Sequence, residues 1–105
     1  MTEPLSQDQA FIRKLADIVS ANLQDENFGV EKLVRETGIS RVTIHRKVKS
    51  IKHLSISQFI REIRLHKAME MLQSNEGTAA EIAFRVGFGS ATYFNKCFHE
   101  YFGYS

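Results

Sequence analysis

Apolar residues recur along this chain at three- and four-residue spacing, and no stretch alternates with the period of two that a strand needs. Phe11, Ile12, Leu15, Ile18, Val19 and Leu23 form one such stripe. Ser6 stands before it as an N-cap, with Gln9 in the capping-box position and Asp8 near the positive helix end. The spacing predicts a first helix from Ser6 to near Leu23, after a disordered lead over residues 1–5. Asp25-Glu26-Asn27 reads as a loop, with Phe28 packing beneath the next helix and Gly29 easing the turn. A second helix runs from Val30 to Thr37, turns Leu33 and Val34 inward and ends at Gly38. Ser40 then caps a third helix whose apolar residues are Ile44, Val48 and Ile51.

After a turn at Lys52-His53-Leu54, Ser55 caps a long fourth helix reaching Gln73, with Gln58 in its capping box. Its stripe of Phe59, Ile60, Ile63, Leu65, Ala68, Met69 and Leu72 is wide enough to meet core on more than one side. A break over residues 74–77 precedes a fifth helix, capped by Thr78 with Glu81 and ended by Gly87, with Ile82, Ala83 and Val86 inward. The sixth helix runs from Ala91 to Phe102, and Gly103 sits at its C-cap. The fold class is all-α.

The third helix changes the picture. Residues 40–53 hold Arg41, Arg46, Lys47, Lys49 and Lys52 and no acidic residue. A helix, a glycine-containing turn and a capped basic helix make the pattern of a helix-turn-helix, whose second helix lies in a DNA major groove. The alternative is a solvated basic face on a structural helix.

That pattern occurs twice. Gly38-Ile39-Ser40 corresponds to Gly87-Phe88-Gly89-Ser90, and from the serines onward the offset is fifty residues. Ile44 then pairs with Phe94, Arg46 with Lys96, Val48 with Phe98 and Ser55 with Ser105. The domain organisation is one DNA-binding domain over residues 1–105. A first helix-turn-helix unit spans 6–54, a bridging helix 55–73 and a second unit 74–105, truncated at its C-terminal end. Two recognition helices carried about one helical turn apart, roughly 34 Å, would let one chain do the work of a dimer.

Composition adds less. The formal net charge of +2 hides an asymmetry: residues 1–38 carry four Lys/Arg against seven Asp/Glu, and residues 39–105 carry ten against five. The basic remainder would face a polyanion. Cys97 is the only cysteine, so no intramolecular disulfide can form; it reads as a small core residue. With no apolar run of transmembrane length and no signal peptide, the expected location is the cytoplasm. No phosphate loop, nucleophile motif or metal-ligand set is present, so we expect no cofactor, no metal and no enzymatic activity. Tyr93, Phe94, Phe98 and Phe102 read as core rather than as a stacking platform for single strands.

Several residue groups together resemble the AraC/XylS-type transcription regulators. They are Glu81-Ile82-Ala83 through Val86-Gly87-Phe88, then Ser90, Tyr93-Phe94, Phe98 and Gly103. Ser40, His45-Arg46-Lys47 and Lys49 match in the first unit, as do Phe59-Ile60-Arg61, Arg64-Leu65 and Ala68 on the bridge. The resemblance implies two helix-turn-helix units on a long helix and sequence-specific binding of double-stranded DNA by a bacterial regulator. It implies base contacts from Val42, His45 and Arg46 in the first unit and from Ala91, Thr92, Asn95 and Lys96 in the second. Arg46 is the best candidate, since a guanidinium can bond guanine O6 and N7 together. The phosphate candidates are Ser40, Arg41, Lys47, Lys49, Ser90 and His99.

The acidic opening and the Arg46-Lys47-Val48-Lys49 run are similar to the output end of hybrid two-component sensor/regulators. On that reading, sensor or receiver domains lie upstream and RNA polymerase is a further partner. The family pattern is departed from at His53, where a glycine is usual, at His99, where a Lys or Arg is usual, and after Ser105, where a last short helix is usual. The reading from another class is a helical protein-interaction module contacting RNA polymerase or a partner regulator. It requires little salt dependence and no role for Arg46.

Overall fold

The computed structural model describes residues 5–103, and these form six α-helices and no strand. In order they are α1 (Gln7–Ala21), α2 (Val30–Thr37), α3 (Arg41–Lys52), α4 (Ile56–Gln73), α5 (Ala79–Arg85) and α6 (Ala91–Phe102). The expected lead lies outside the described residues except for Leu5, which is exposed. Ser105, the counterpart of Ser55 in the repeat, lies outside them too.

Local side-chain chemistry sets the helix starts. Ser6 with Gln9, Ser55 with Gln58 and Thr78 with Glu81 each close a reciprocal capping box. Ser40 and Ser90 accept from the backbone N–H groups of Thr43 and Tyr93. Such a cap is worth about 1 kcal/mol.

The helix ends hold two departures from expectation. α1 stops at Ala21 rather than near Leu23, because the Asn22 side-chain amide donates to the Ile18 carbonyl and caps the last turn. Leu23 is thereby freed from the helix and packs against a different core. α3 ends at His53, which takes the left-handed conformation (φ 60°) that a glycine would adopt more easily. The turn thus keeps the geometry of a glycine C-cap without the glycine.

Burial divides into two clusters strung along α4. The first gathers Leu15, Val19, Phe28, Leu33, Ile44 and Val48 around Ile56, Phe59 and Ile60. The second gathers Ile82, Ala83, Val86, Phe88, Phe94, Cys97 and Phe98 around Leu65, Ala68 and Met71. One helix therefore serves two cores, its N-terminal half packed on α1 and α3 and its C-terminal half on α5. The inward face of its second half runs through Arg64, Ala68 and Met71 at i, i+4, i+7 spacing. Met69 and Leu72 of the expected stripe pack against the second cluster but are only partly buried, whereas Met71, absent from that stripe, is buried. Ile56, absent from the expected stripe, is buried in the first turn.

Candidate nucleic-acid interface

The internal repeat extends to backbone conformation. Gly38 (φ 68°) and Gly87 (φ 91°) both turn the chain through the left-handed region between the paired helices. Ser40 and Ser90 then cap α3 and α6. Ile44 and Phe94 anchor these helices one turn in, at 0% and 1% exposure, and Val48 and Phe98 anchor them another turn on. Each helix is fixed along one side, and its other side is presented to solvent.

On α3 that open side carries Val42, His45 and Arg46, all exposed, Val42 at 65%. An apolar side chain left that open beside a guanidinium and an imidazole suits a base edge, where it can touch a thymine methyl. Arg41, Lys47, Lys49 and Lys52 are exposed on the same helix, and its first turn contains no acidic residue. Lys47 is not idle: its ammonium lies 4.7 Å from the centre of the Phe11 ring. The Ser40 hydroxyl donates to Thr43 Oγ1 while accepting from the Thr43 N–H, and so fixes the start of the helix.

On α6, Thr92, Asn95 and Lys96 are exposed and Ala91 is half-buried. Ser90 and His99 are exposed at either end of the helix. This face bears one permanent cation, Lys96, against five over residues 40–53 of the first unit.

Tyr93 corrects an expectation. Helical spacing places it in the core with Phe94, Phe98 and Phe102, yet it is 48% exposed. As the third residue of α6 it leaves the buried side held by Phe94, and its ring leans on Phe88 with centroids 5.9 Å apart. Its hydroxyl accepts from Arg61 of α4 at 3.4 Å. Phe102 is partly buried against the second cluster.

A second tie joins His66 Nε2 to the Tyr101 hydroxyl at 2.8 Å. Burial, then a hydrogen bond to Glu62, pushes that phenol up to about 12. Both tyrosines therefore set the roll of α6 against the bridge. Helical periodicity could not reveal this, because it places residues on faces and not on partners.

Sequence reasoning also missed Arg64 as a buried residue. It is 5% exposed and spends its guanidinium on four backbone carbonyls: Leu23, Asp25, Phe28 and Val86. Burial lowers its pKa, an effect opposed by the Asp25 charge. A signal was present in its position, four residues after Ile60 and four before Ala68 on the inward face.

Among the described residues no group of His, Cys, Asp and Glu could hold a metal ion, and no helix is long and apolar enough to cross a membrane.

A family model described as a helix-turn-helix domain matches residues 33–105. Over 95 residues the chain is 37% identical to histidine kinase P4 of Formosa agariphila, covering 90% of this chain and 7% of that protein. It is 29% identical over 99 residues to the HTH-type transcriptional regulator GbdR of Pseudomonas aeruginosa, covering 94% of this chain and 27% of that one. The chain thus spans under a third of the length of either curated relative. Among solved structures, the C-terminal domain of AraT, a response regulator from Geobacillus stearothermophilus, superposes with a TM-score of 0.81 at 27% identity, covering 95% of this chain and 83% of that one. With two capped, glycine-turned helix pairs on one bridging helix and these relatives, the chain belongs to the AraC-type helix-turn-helix family and is a DNA-binding domain of a transcription regulator.

Proposed function

We propose that the domain binds a bipartite duplex site, with α3 in one major groove and α6 in the next on the same face of the DNA. One observation carries the reading: two helices with matched caps and anchors present open faces from a single bridge. On α3, Arg46 reads a guanine, His45 a neighbouring base edge and Val42 a thymine methyl. Ala91, Thr92, Asn95 and Lys96 of α6 read the second half-site less strictly. Arg41, Lys47, Lys49 and the helix starts at Ser40 and Ser90 hold phosphates, with His99 a further contact.

The protein extends 37 Å along its longest axes, little more than the roughly 34 Å between successive grooves of straight B-DNA. The recognition-helix centres lie inside that extent, so the DNA bends toward them or the second half-site is held loosely. Bending costs about 1–6 kcal/mol. The sparse charge of α6 favours the loose hold, mainly through phosphates near Ser90 and Lys96.

The kinase and response-regulator relatives support a place as the output segment of a two-component regulator, which would act in the cytoplasm. Upstream sensor or receiver parts would supply the signal, and RNA polymerase would be the downstream partner.

Selection from a random duplex pool tests the reading. It should enrich two half-sites about one turn apart, the first better defined. Binding that is insensitive to salt and enriches no sequence would sink it, and would favour the protein-interaction module.

A further inference from the structure

The two cores meet α4 on either side of Arg64. Ile60 and residues before it belong to the first cluster, and Leu65 and residues after it to the second. Arg64 stands at the seam and bonds outward in both directions. Nη1 donates to the Leu23 carbonyl at 2.6 Å and to the Val86 carbonyl at 2.5 Å. Nη2 donates to the Asp25 and Phe28 carbonyls, each at 3.0 Å. Three acceptors lie in the loop between α1 and α2, and the fourth closes α5 immediately before the turn into α6.

The surrounding chain is shaped to admit this group. At Gly87 a Cβ would fall inside the Arg64 guanidinium and against the Leu23 carbonyl, at φ 91°. At Gly89 a Cβ would meet the Glu26 carboxylate, which brings the same loop against the residue before the α6 cap. Leu23 completes the crossing by packing into the second core.

We propose that Arg64 is the positioning residue that fixes one recognition helix relative to the other. A continuous α4 sets how far apart the units sit along its axis. It sets their rotation about that axis only through the packing of each half. The guanidinium adds a direct tie between the loop preceding α2 and the turn preceding α6. This rigidity would turn two modest half-site contacts into one high-avidity contact at a single spacing. Linked modules gain affinity only where their geometry matches the span. The proposal rests on the bipartite reading above.

The test measures affinity of the full chain for duplexes carrying both selected half-sites at native spacing, the same half-sites moved apart by half a turn, and the first half-site alone. Unaltered protein should lose about tenfold on the shifted duplex, because the phosphates under α6 stay in place and only its base contacts are lost. Arg64→Lys, which keeps the charge but not the planar fork, and Arg64→Met should keep first half-site affinity. Both should bind native and shifted duplexes within about threefold of each other, since a loosened pair gains no avidity at any one spacing.

Nitroxide labels at Ser50→Cys and Glu100→Cys in a Cys97→Ala background report the geometry without DNA. One narrow distance should broaden in both Arg64 variants, and Gly87→Ala, which displaces the guanidinium, should broaden it likewise. If the unaltered protein shows no spacing preference, the bipartite reading fails, whatever the labels report. If it shows one and folded Arg64 variants keep both the preference and the narrow distance, the positioning role is overturned. Loss of helicity in both Arg64 variants overturns it too, since the guanidinium would then hold up the fold and not the orientation.

Discussion

Lys49→Ala isolates one counterion. Lys49 is exposed in the last turn of α3, and its ammonium makes no ion pair among the described residues. Removing it should leave the free protein unchanged and subtract one phosphate contact from the complex. Arg41, Lys47 and Lys49 of the first unit and Lys96 of the second are assigned to phosphates, giving a slope of log K against log salt of about −3.6. Raising salt fourfold then weakens binding roughly 150-fold, and the variant, with a slope of about −2.7, should weaken roughly 40-fold. The loss should be the same on specific and scrambled duplexes, because a phosphate contact carries no sequence information.

Lys47→Ala is the internal comparison. Its ammonium must leave the Phe11 ring to reach a phosphate, forfeiting about 0.5–1 kcal/mol, so its removal should weaken binding less than that of Lys49. Fluorescence anisotropy across a salt series, with helicity checked by circular dichroism, reads both. An unchanged slope in Lys49→Ala, with or without lost affinity, would refute the counterion assignment.

Three further outcomes are expected. Arg46→Ala should cost about 1–3 kcal/mol on the selected site and relax preference at one base pair, measured as affinity on singly substituted duplexes; a uniform loss on all of them would make Arg46 a phosphate contact. His53→Gly should raise stability by up to about 1 kcal/mol in denaturant unfolding, since glycine relieves the left-handed strain at φ 60° but adds freedom to the unfolded chain; destabilisation would show that the His53 side chain contributes more than its backbone costs. The Thr78 backbone N–H, then its hydroxyl, holds the Glu81 carboxyl below its usual 4.5. The folded value is the lower one, so this contribution is complete above about 4.5 and is lost as pH falls through the depressed value. Asp25, lowered by Lys32 and then by the Asn27 N–H, titrates in the same direction. Thermal unfolding in acid should therefore be less pH-dependent in Glu81→Gln than in the parent, and equal dependence would count against the capping contribution.

Much of this molecule was legible because the determinants are local. A serine or threonine three residues before a Gln or Glu satisfies free N–H groups at a helix start, and all three capping boxes formed where the spacing put them. The buried anchors Ile44, Val48, Phe94 and Phe98 followed from periodicity and from the repeat. What escaped depends on partners distant in sequence. Tyr93 sits beside Phe94 in a run of aromatics but one position off the buried side, and the partner of its hydroxyl, Arg61, lies thirty-two residues back. Arg64 lies on an inward face where a guanidinium is costly unless acceptors converge on it. They come from carbonyls up to 41 residues away. Met71 is buried more deeply than Met69 and Leu72, which also pack on the second core, because that core meets α4 along the line set by Arg64 and Ala68. In the candidate interface, open positions on α3 and α6 could be read from the helical face opposite the anchors, whereas the ties that set the roll of α6 could not.

In the proposed complex, two recognition helices on one bridge occupy successive major grooves on one face of the DNA. Hydroxyl-radical footprinting of the domain on a single end-labelled duplex carrying the selected site tests it most directly. The account predicts two protected patches about one helical turn apart on the same face, the one under α3 stronger. Base substitutions in the second half-site should weaken its patch and leave the first in place, and those in the first should abolish both. A single patch, or two patches facing opposite sides of the duplex, would contradict it.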